Sequence, residues 1–341
     1  MVKKICSVIF AVAILSFLKA SPAAAQSFFE GKTIRIIIGF SAGGGFDTYS
    51  RTIARHLGRH IPGNPSVTVE NMPGAGSLIA ANHVYRIAKP DGLAIGNFHG
   101  YMILNQVAER PGIEFDARKF GWIGVPVSDT GACALTAASG VTSLDQWKAA
   151  KTPIKLGAVG GGGDATYTQA KFLRDILNLP VQIVAGYKGT AEVRLAAEAD
   201  ELAGGCWQWE SIKSIWRKAL DASEVNVVLQ LTPEPHKELP NVPLAISLAK
   251  TEEARTLLRA AVHDPNAITR PYSLPPGTPA DRVQVLRKAF MATMQDPAFL
   301  ADANKAKLDI KPMTGEELEK IVSGFFQIDP AILPKLQAIF R

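Results

Sequence analysis

Four times in this chain an apolar run ends in glycines and passes directly into a helix-like stretch. Residues 33–40 lead through SAGGGFD into TYSRTIARHL, and residues 66–70 lead through NMPGAGS into residues 78–88. Residues 154–159 run into GGGGDATYTQAKFL, and VQIVAGYKGTAEVRLAAEA repeats the pattern. Strands alternating with helices at this spacing predict parallel α/β sheets. Ligands of open α/β sheets sit at the carboxyl ends of strands, where these turns fall. Two such edges facing one another would make a cleft.

The rest of the chain fits around these units. Pro90-Asp91-Gly92 reads as a tight turn before a strand at 93–96, GACALTA as a strand, and Ser143 as the cap of a helix at 143–150. LAGGCWQWES reads as a further strand, and helices are expected at 280–295 and 315–326, the second opened by Thr314 and Glu317. The proline-dense stretches 232–243 and 270–279 read as connectors.

The N-terminus has the pattern of an export signal. MVKK is a basic start, residues 5–18 an apolar core, and Ala23-Ala24-Ala25 a cleavage site before Gln26. That core is short of the about 20 residues a membrane span needs, so a soluble protein of a bacterial periplasm is expected. Lys3, Lys4 and Lys19 leave with the signal; 37 Lys and Arg against 31 Asp and Glu become 34 against 31, and the formal charge of +6 falls to +3. Such a balance, with no basic block, is no nucleic-acid footprint. About 315 remaining residues, from a chain of 47% apolar composition, suit two domains. Cys133 and Cys206 leave two readings open, one disulfide or two buried thiols, because spacing alone does not fix geometry.

The glycine turns raise competing chemistries. Gly39 to Gly43 fits the G-x-S-x-G elbow of a secreted serine hydrolase with Ser41 as nucleophile. It follows the first strand, however, and leaves too little chain for the usual oxyanion loop. Thr48 stands where a dinucleotide fingerprint needs its third glycine, and no Lys-Ser/Thr closes a phosphate loop. The surviving reading is an anion cradle: Gly43 to Gly45 let N–H groups converge on a helix start carrying about half a positive charge. Asp47 is expected to cap that helix and pair with Arg51. His56 and His60 share a helix face without the acid of a metal motif and read as a solvated face. His99, in GNFHG at a strand's carboxyl end, is a cleft-lining candidate. Strand alternation puts Trp207 and Trp209 on one face and Gln208 on the other. Core packing is their default, an aromatic ligand wall the functional alternative.

The ordered motifs F-x-G-K-T-I-R-I-I-I-G-F-S-A-G-G-G-F-D, V-E-N-M-P-G-A-G-S, K-P-D-G, Y-K-G-T, L-P-N-V-P and P-P-G-T-P cover essentially the whole mature chain. Together they resemble the extracytoplasmic solute receptors of the tripartite tricarboxylate transporter family, the Bug receptors. The resemblance implies an α/β, two-domain type II periplasmic-binding-protein fold (a Venus flytrap), each domain a mostly parallel sheet flanked by helices. After a signal peptide at 1–25, domain one would span 26–125 plus 236–341 and domain two 126–235. It implies a monomer that captures a small organic carboxylate and delivers it to membrane permease subunits, with no catalysis, cofactor, metal or nucleic acid. The carboxylate grip would be Ser41, Ala42, Gly43, Gly44, Gly45 and Phe46 with Gly74, Ala75, Gly76 and Ser77. Gly162, Asp164, Ala165 and Thr166, the turn from Tyr187 to Thr190, His99, Trp207 and Gln208 would meet the rest of the ligand. Ala42 stands where proline is common in the family, Phe46 where a small polar residue sits, and Gln208 where an acid is usual. GGDAT replaces a serine-rich turn followed by histidine. Phe46, Trp207 and Gln208 thus predict an aromatic or longer-chain acid rather than a short dicarboxylate.

Overall fold

The computed structural model describes residues 28–161 and 163–340. The proposed signal segment 1–25 and the candidate Gly162 lie outside the described residues. Eleven strands occur among those described: β1 (Thr33–Ile38), β2 (Ser66–Asn71), β3 (Ala94–Asn97), β4 (Gly121–Val125), β5 (Gly131–Thr136), β6 (Ile154–Val159), β7 (Val181–Tyr187), β8 (Gly204–Gln208), β9 (Val225–Leu231), β10 (Tyr272–Leu274) and β11 (Met313–Thr314). They form two sheets, ordered β11-β4-β10-β3-β1-β2 and β7-β6-β8-β5-β9.

The α/β expectation holds, with one refinement: both sheets are mixed rather than mostly parallel. β1 pairs in parallel with β2 and β3, but β10 runs antiparallel to β3 and β4. In the second sheet β6 pairs in parallel with β7 and β8, while β5 is antiparallel to β8 and β9. Each parallel part is the one built from the strand–glycine–helix units, whose crossover helices return the chain in the same direction. The antiparallel strands have no such crossover. β10 lies inside the stretch 270–279 expected to be a connector; its three residues are all buried.

The helices that matter for the site are α1 (Gly45–Leu57), α2 (Leu78–Arg86), α3 (Tyr101–Val107), α4 (Ala165–Asp175), α5 (Thr190–Glu198), α6 (Trp209–Ile215), α7 (Ala280–Gln295), α8 (Pro297–Lys305) and α9 (Gly315–Phe325). In α1, Phe46, Tyr49, Ile53 and Leu57 recur every three or four residues and are buried, the stripe that seats a helix on a sheet. His56 and His60 correct an expectation. Their face is covered by α8 and the residue that caps it: His56 Nε2 meets Asp302 at 3.0 Å and His60 Nε2 meets Asp296 at 2.9 Å. Thr314 and Glu317 form the expected capping box on α9, and Ser143 Oγ accepts the Gln146 N–H.

Cys133 and Cys206 form a disulfide between directly paired residues of β5 and β8, which resolves the open alternative. β8 stops at Gln208 and Trp209 opens α6, so strand alternation does not extend to Trp209. Trp207 is fully buried, 5.2 Å from Trp216.

Candidate ligand-binding site

The strand-to-helix turns of the two sheets meet. Ser41 donates its backbone N–H to Lys188 O at 3.1 Å, and a Cβ on Gly189 would fall 2.3 Å from Ser41 Oγ. A Cβ on Gly76 would fall 2.7 Å from that of Asp164, and one on Gly160 would fall 2.6 Å from the Gly76 nitrogen. These turns touch backbone to backbone because their residues are small. Between them lies a cavity of about 20 Å³, lined by Phe40, Gly44, Gly45, Phe46 and His99 from the six-stranded side. Val159, Asp164, Thr166, Thr190, Gln208 and Ser211 line it from the five-stranded side. That is room for about one water. Sites for organic ligands take hundreds of Å³, so a ligand enters only if the two sides part.

The helix start at this cavity is built by Gly43 and Asp47. Gly43 has φ +83°, a left-handed turn that a side chain would strain. Its N–H donates to Asp47 Oδ2 at 3.0 Å, so this donor is not available to a ligand. Asp47 also accepts from Arg51 at 2.9 Å and Asn71 at 3.0 Å. Burial works to raise its pKa, and these hydrogen bonds outweigh it and hold the carboxyl below its ordinary range. Gly44, Gly45 and Phe46 then open α1 at the cavity wall, where the helix end favours negative charge.

His99 is positioned from two directions. Its backbone N–H donates to Ser77 Oγ at 2.9 Å, and its Nδ1 accepts the Tyr101 N–H at 3.2 Å. Ser77 holds φ +79°, so the PGAGS turn carries strain where it supports His99. With Nδ1 accepting, the ring proton sits on Nε2, 3.5 Å from the Gln208 amide, whose oxygen accepts when the amide is oriented to suit. Burial, and secondarily the Arg270 charge, pushes the His99 pKa down to about 3. The ring is a neutral donor.

Asp164 caps α4: its Oδ1 accepts from Thr166 Oγ1 at 2.7 Å and from the Tyr167 N–H at 3.0 Å. Burial pushes its pKa up to about 6 despite these bonds. Thr166 Oγ1 in turn accepts the Val159 N–H, so both ends of that hydroxyl are used.

Behind Phe46 lies a cation from the proline-dense stretch 270–279. Arg270 is fully buried, donates to Asp129 Oδ2 at 2.9 Å and to Ser211 Oγ at 2.6 Å, and stacks under the rings of Phe46 and Tyr49. Burial and the neighbouring Asp129 charge push Glu210 well up, so the proton of that acid pair rests on Glu210.

Of the candidates, Gly44, Gly45, Phe46, His99, Asp164, Thr166, Thr190 and Gln208 therefore line the cavity. Ser41, Gly76 and Ser77 instead join or support the turns around it. Ala42 and Ala75 are exposed, Gly43 is spent on Asp47, and Gly74 and Tyr187 are outside the lining. Ala165 and Trp207 sit in the hydrophobic core, away from the lining; Trp207 is not an aromatic wall. Phe40, Val159 and Ser211 were missed. Phe40 directly precedes the first glycine turn and Val159 ends β6, positions that strand-end geometry would have flagged.

Ser41 is not arranged as a triad nucleophile. Among the described residues no histidine or acid hydrogen-bonds Ser41 Oγ, which is buried without a partner. Glu210, His236 and Asp309 approach within 4.8 Å, yet they suit a metal poorly. His236 Nδ1 accepts the Glu238 N–H, which leaves the proton on Nε2, and the Lys213 ammonium already holds Asp309 at 2.6 Å.

No family model matches the chain. The curated UPF0065 protein in the gbd 5' region of Cupriavidus necator is 26% identical over 332 residues, 94% of this chain and 92% of that protein. Among solved structures, the periplasmic binding protein BugD aligns with TM-score 0.70 at 21% identity, over 91% of this chain and 96% of its own. MatC of Rhodopseudomonas palustris with bound malate aligns with TM-score 0.70 at 18% identity, over 91% and 99%. Another R. palustris protein, solved with adipate, aligns with TM-score 0.68 at 16% identity, over 90% and 97%. The resemblance read from the ordered motifs thus extends to the fold: along nearly its whole length the chain is built like the periplasmic binding protein BugD and like MatC.

Proposed function

We propose that this chain is an exported periplasmic receptor that captures a small organic carboxylate between two domains and delivers it to a tripartite tricarboxylate-type permease. The observation that carries the reading is the cavity where both sets of glycine turns converge, with the start of α1 on one wall and the neutral donor His99 beside it. Malate in MatC and adipate in its R. palustris relative support the ligand class. The absence of a base at Ser41 favours binding over catalysis. The protein acts as a monomer, without cofactor, metal or nucleic acid.

We divide the chain into two domains, 26–125 with 236–341 and 126–235; the grouping of the strands into two sheets supports this, with one adjustment. Gln230 bridges to Leu244, and Asn266 donates to Leu231 O, so residues 244–266 ride with the second sheet. The return crossing then falls near Thr269 and Arg270, just before β10. A domain rotation about these crossings would open the cavity.

Phe40 and Phe46 stand 4.4 Å apart on the cavity wall, and Phe46 lies 5.5 Å from His99. This wall favours an aromatic or longer-chain acid. Thermal shifts across a carboxylate library test both levels. Stabilisation by benzoate- or adipate-like acids is expected; stabilisation only by malate or succinate would overturn the chain-length assignment. No stabilisation by any carboxylate would overturn the receptor reading.

A further inference from the structure

Ser211 lies on the wall of the cavity, and its hydroxyl presses against the start of α1: a Cβ on Gly45 would fall 1.9 Å from Ser211 Oγ. The Arg270 guanidinium lies directly behind, 2.6 Å from the same oxygen and 3.2 Å from that Gly45 position. Arginine has donors and no acceptor, so Ser211 Oγ must be the acceptor in this pair. The hydroxyl proton is then left over. Among the described residues no acceptor takes it, although Ser211 is buried.

We propose that Ser211 is a carboxylate-binding donor from the second domain, oriented and polarised by Arg270. The assignment rests on the carboxylate-receptor reading above and adds to it a residue pair. Accepting from a cation strengthens a hydroxyl as a donor, and the low-dielectric surroundings add to the effect. A carboxylate at the N–H groups of Gly44 to Phe46 would meet the Ser211 proton on its side facing the five-stranded sheet. One oxygen of the ligand is thus held from each domain, so binding and closure are coupled. Arg270 touches no ligand itself: the Phe46 ring covers it, with the guanidinium carbon 5.0 Å from the ring centre. It is a positioning residue. Its charge is held in place by Asp129, whose partner Glu210 keeps the proton, so the cluster is not over-supplied with negative charge.

The test is calorimetric titration of the wild type and of Ser211→Ala, Arg270→Lys and the double variant with benzoate, adipate and succinate. Ser211→Ala is expected to weaken the tightest of these probes about tenfold, with the ligand-free melting temperature lowered by several degrees because Arg270 loses a buried acceptor. If Arg270 acts through Ser211, Arg270→Lys should weaken binding in the wild type and add little once Ser211 is alanine. Binding by the wild type with Ser211→Ala within twofold of it would overturn the assignment and leave the receptor reading standing. Full additivity of the two losses would overturn the positioning role of Arg270, since a merely structural residue acts regardless of Ser211. Failure of all three probes to bind the wild type would instead count against the receptor reading, and this assignment would fall with it.

Discussion

Asp47 Oδ2 accepts the backbone N–H of Gly43, four residues upstream, at 3.0 Å. The first donor of the glycine turn is therefore consumed in making the turn. The charge of the acid that consumes it is offset by Arg51, and Asn71 adds a neutral donor, so its repulsion of an anion at the next three N–H groups is reduced. A motif that reads as a row of glycine donors is in fact one structural bond followed by the open end of a helix.

Asp47→Asn should lower stability by about 1–2 kcal/mol, through loss of charge-assisted bonds to Gly43 and Arg51. The pH dependence follows from the sign of the shift. Asp47 is held below its ordinary value when folded. Its contribution is present above the unfolded carboxylate pKa and is lost as pH falls through the lower, folded one. Urea melts at pH 7 and in the acid range check this: the wild type should lose stability on acidification and the variant should lose less. Parallel curves would remove the role given to Asp47.

Gly45→Ala separates closure from folding. Gly45 opens α1 with ordinary helical geometry, so alanine strains no backbone there. Its Cβ would nevertheless fall 1.9 Å from Ser211 Oγ across the seam. Small-angle scattering of the variant with the carboxylate that stabilises the wild type should show an opened molecule, with binding weakened at least tenfold. Thermal stability of the ligand-free protein should change by only a few degrees. A closed, ligand-bound variant would show that the seam has slack there.

The four strand–glycine–helix units were legible because each signal is local: an apolar run, turn glycines, then a stripe such as Phe46, Tyr49, Ile53 and Leu57. The caps at Ser143 and Thr314 were legible for the same reason. Arg270 and Ser211 were not, since their pairing spans 59 residues and the Arg270–Asp129 pair spans 141. A buried arginine in a proline-rich string looks like any exposed connector residue until the seam is assembled. Trp207 failed differently. It faces the core beside Trp216, and alternation could say which residues share a face but not which face meets the ligand.

The Cys133–Cys206 bridge ties the antiparallel part of the second sheet across a sequence separation of 73 residues. Replacing both cysteines by alanine should cost about 2–4 kcal/mol in a urea melt, largely by freeing the unfolded chain. Both sulfurs are buried, so a mild reductant should act slowly on the native protein and quickly in partial denaturant. Equal native and denatured reduction rates, followed by thiol alkylation and mass measurement, would contradict this burial.

Asp164 and His99 divide the pH response of the site between them. His99, at about 3, stays neutral through the physiological range and contributes no titration near 6. Asp164, pushed up to about 6, carries charge at pH 7.5 and loses it by pH 5. Its carboxyl lines the same cavity as the helix start proposed to hold the ligand, so its charge would oppose an incoming carboxylate. Affinity for a strongly acidic monocarboxylate should therefore rise severalfold as pH falls from 7.5 to 5. Asp164→Asn keeps an acceptor for Thr166 and Tyr167 and should flatten that profile. Stability follows with the same sign: a raised folded pKa stabilises the protein fully below the unfolded value near 3.8 and loses that contribution as pH rises through about 6. Ligand-free wild type should thus gain melting temperature relative to Asp164→Asn between pH 7 and 4.5. A profile that persists unchanged in Asp164→Asn would assign the titration to another group.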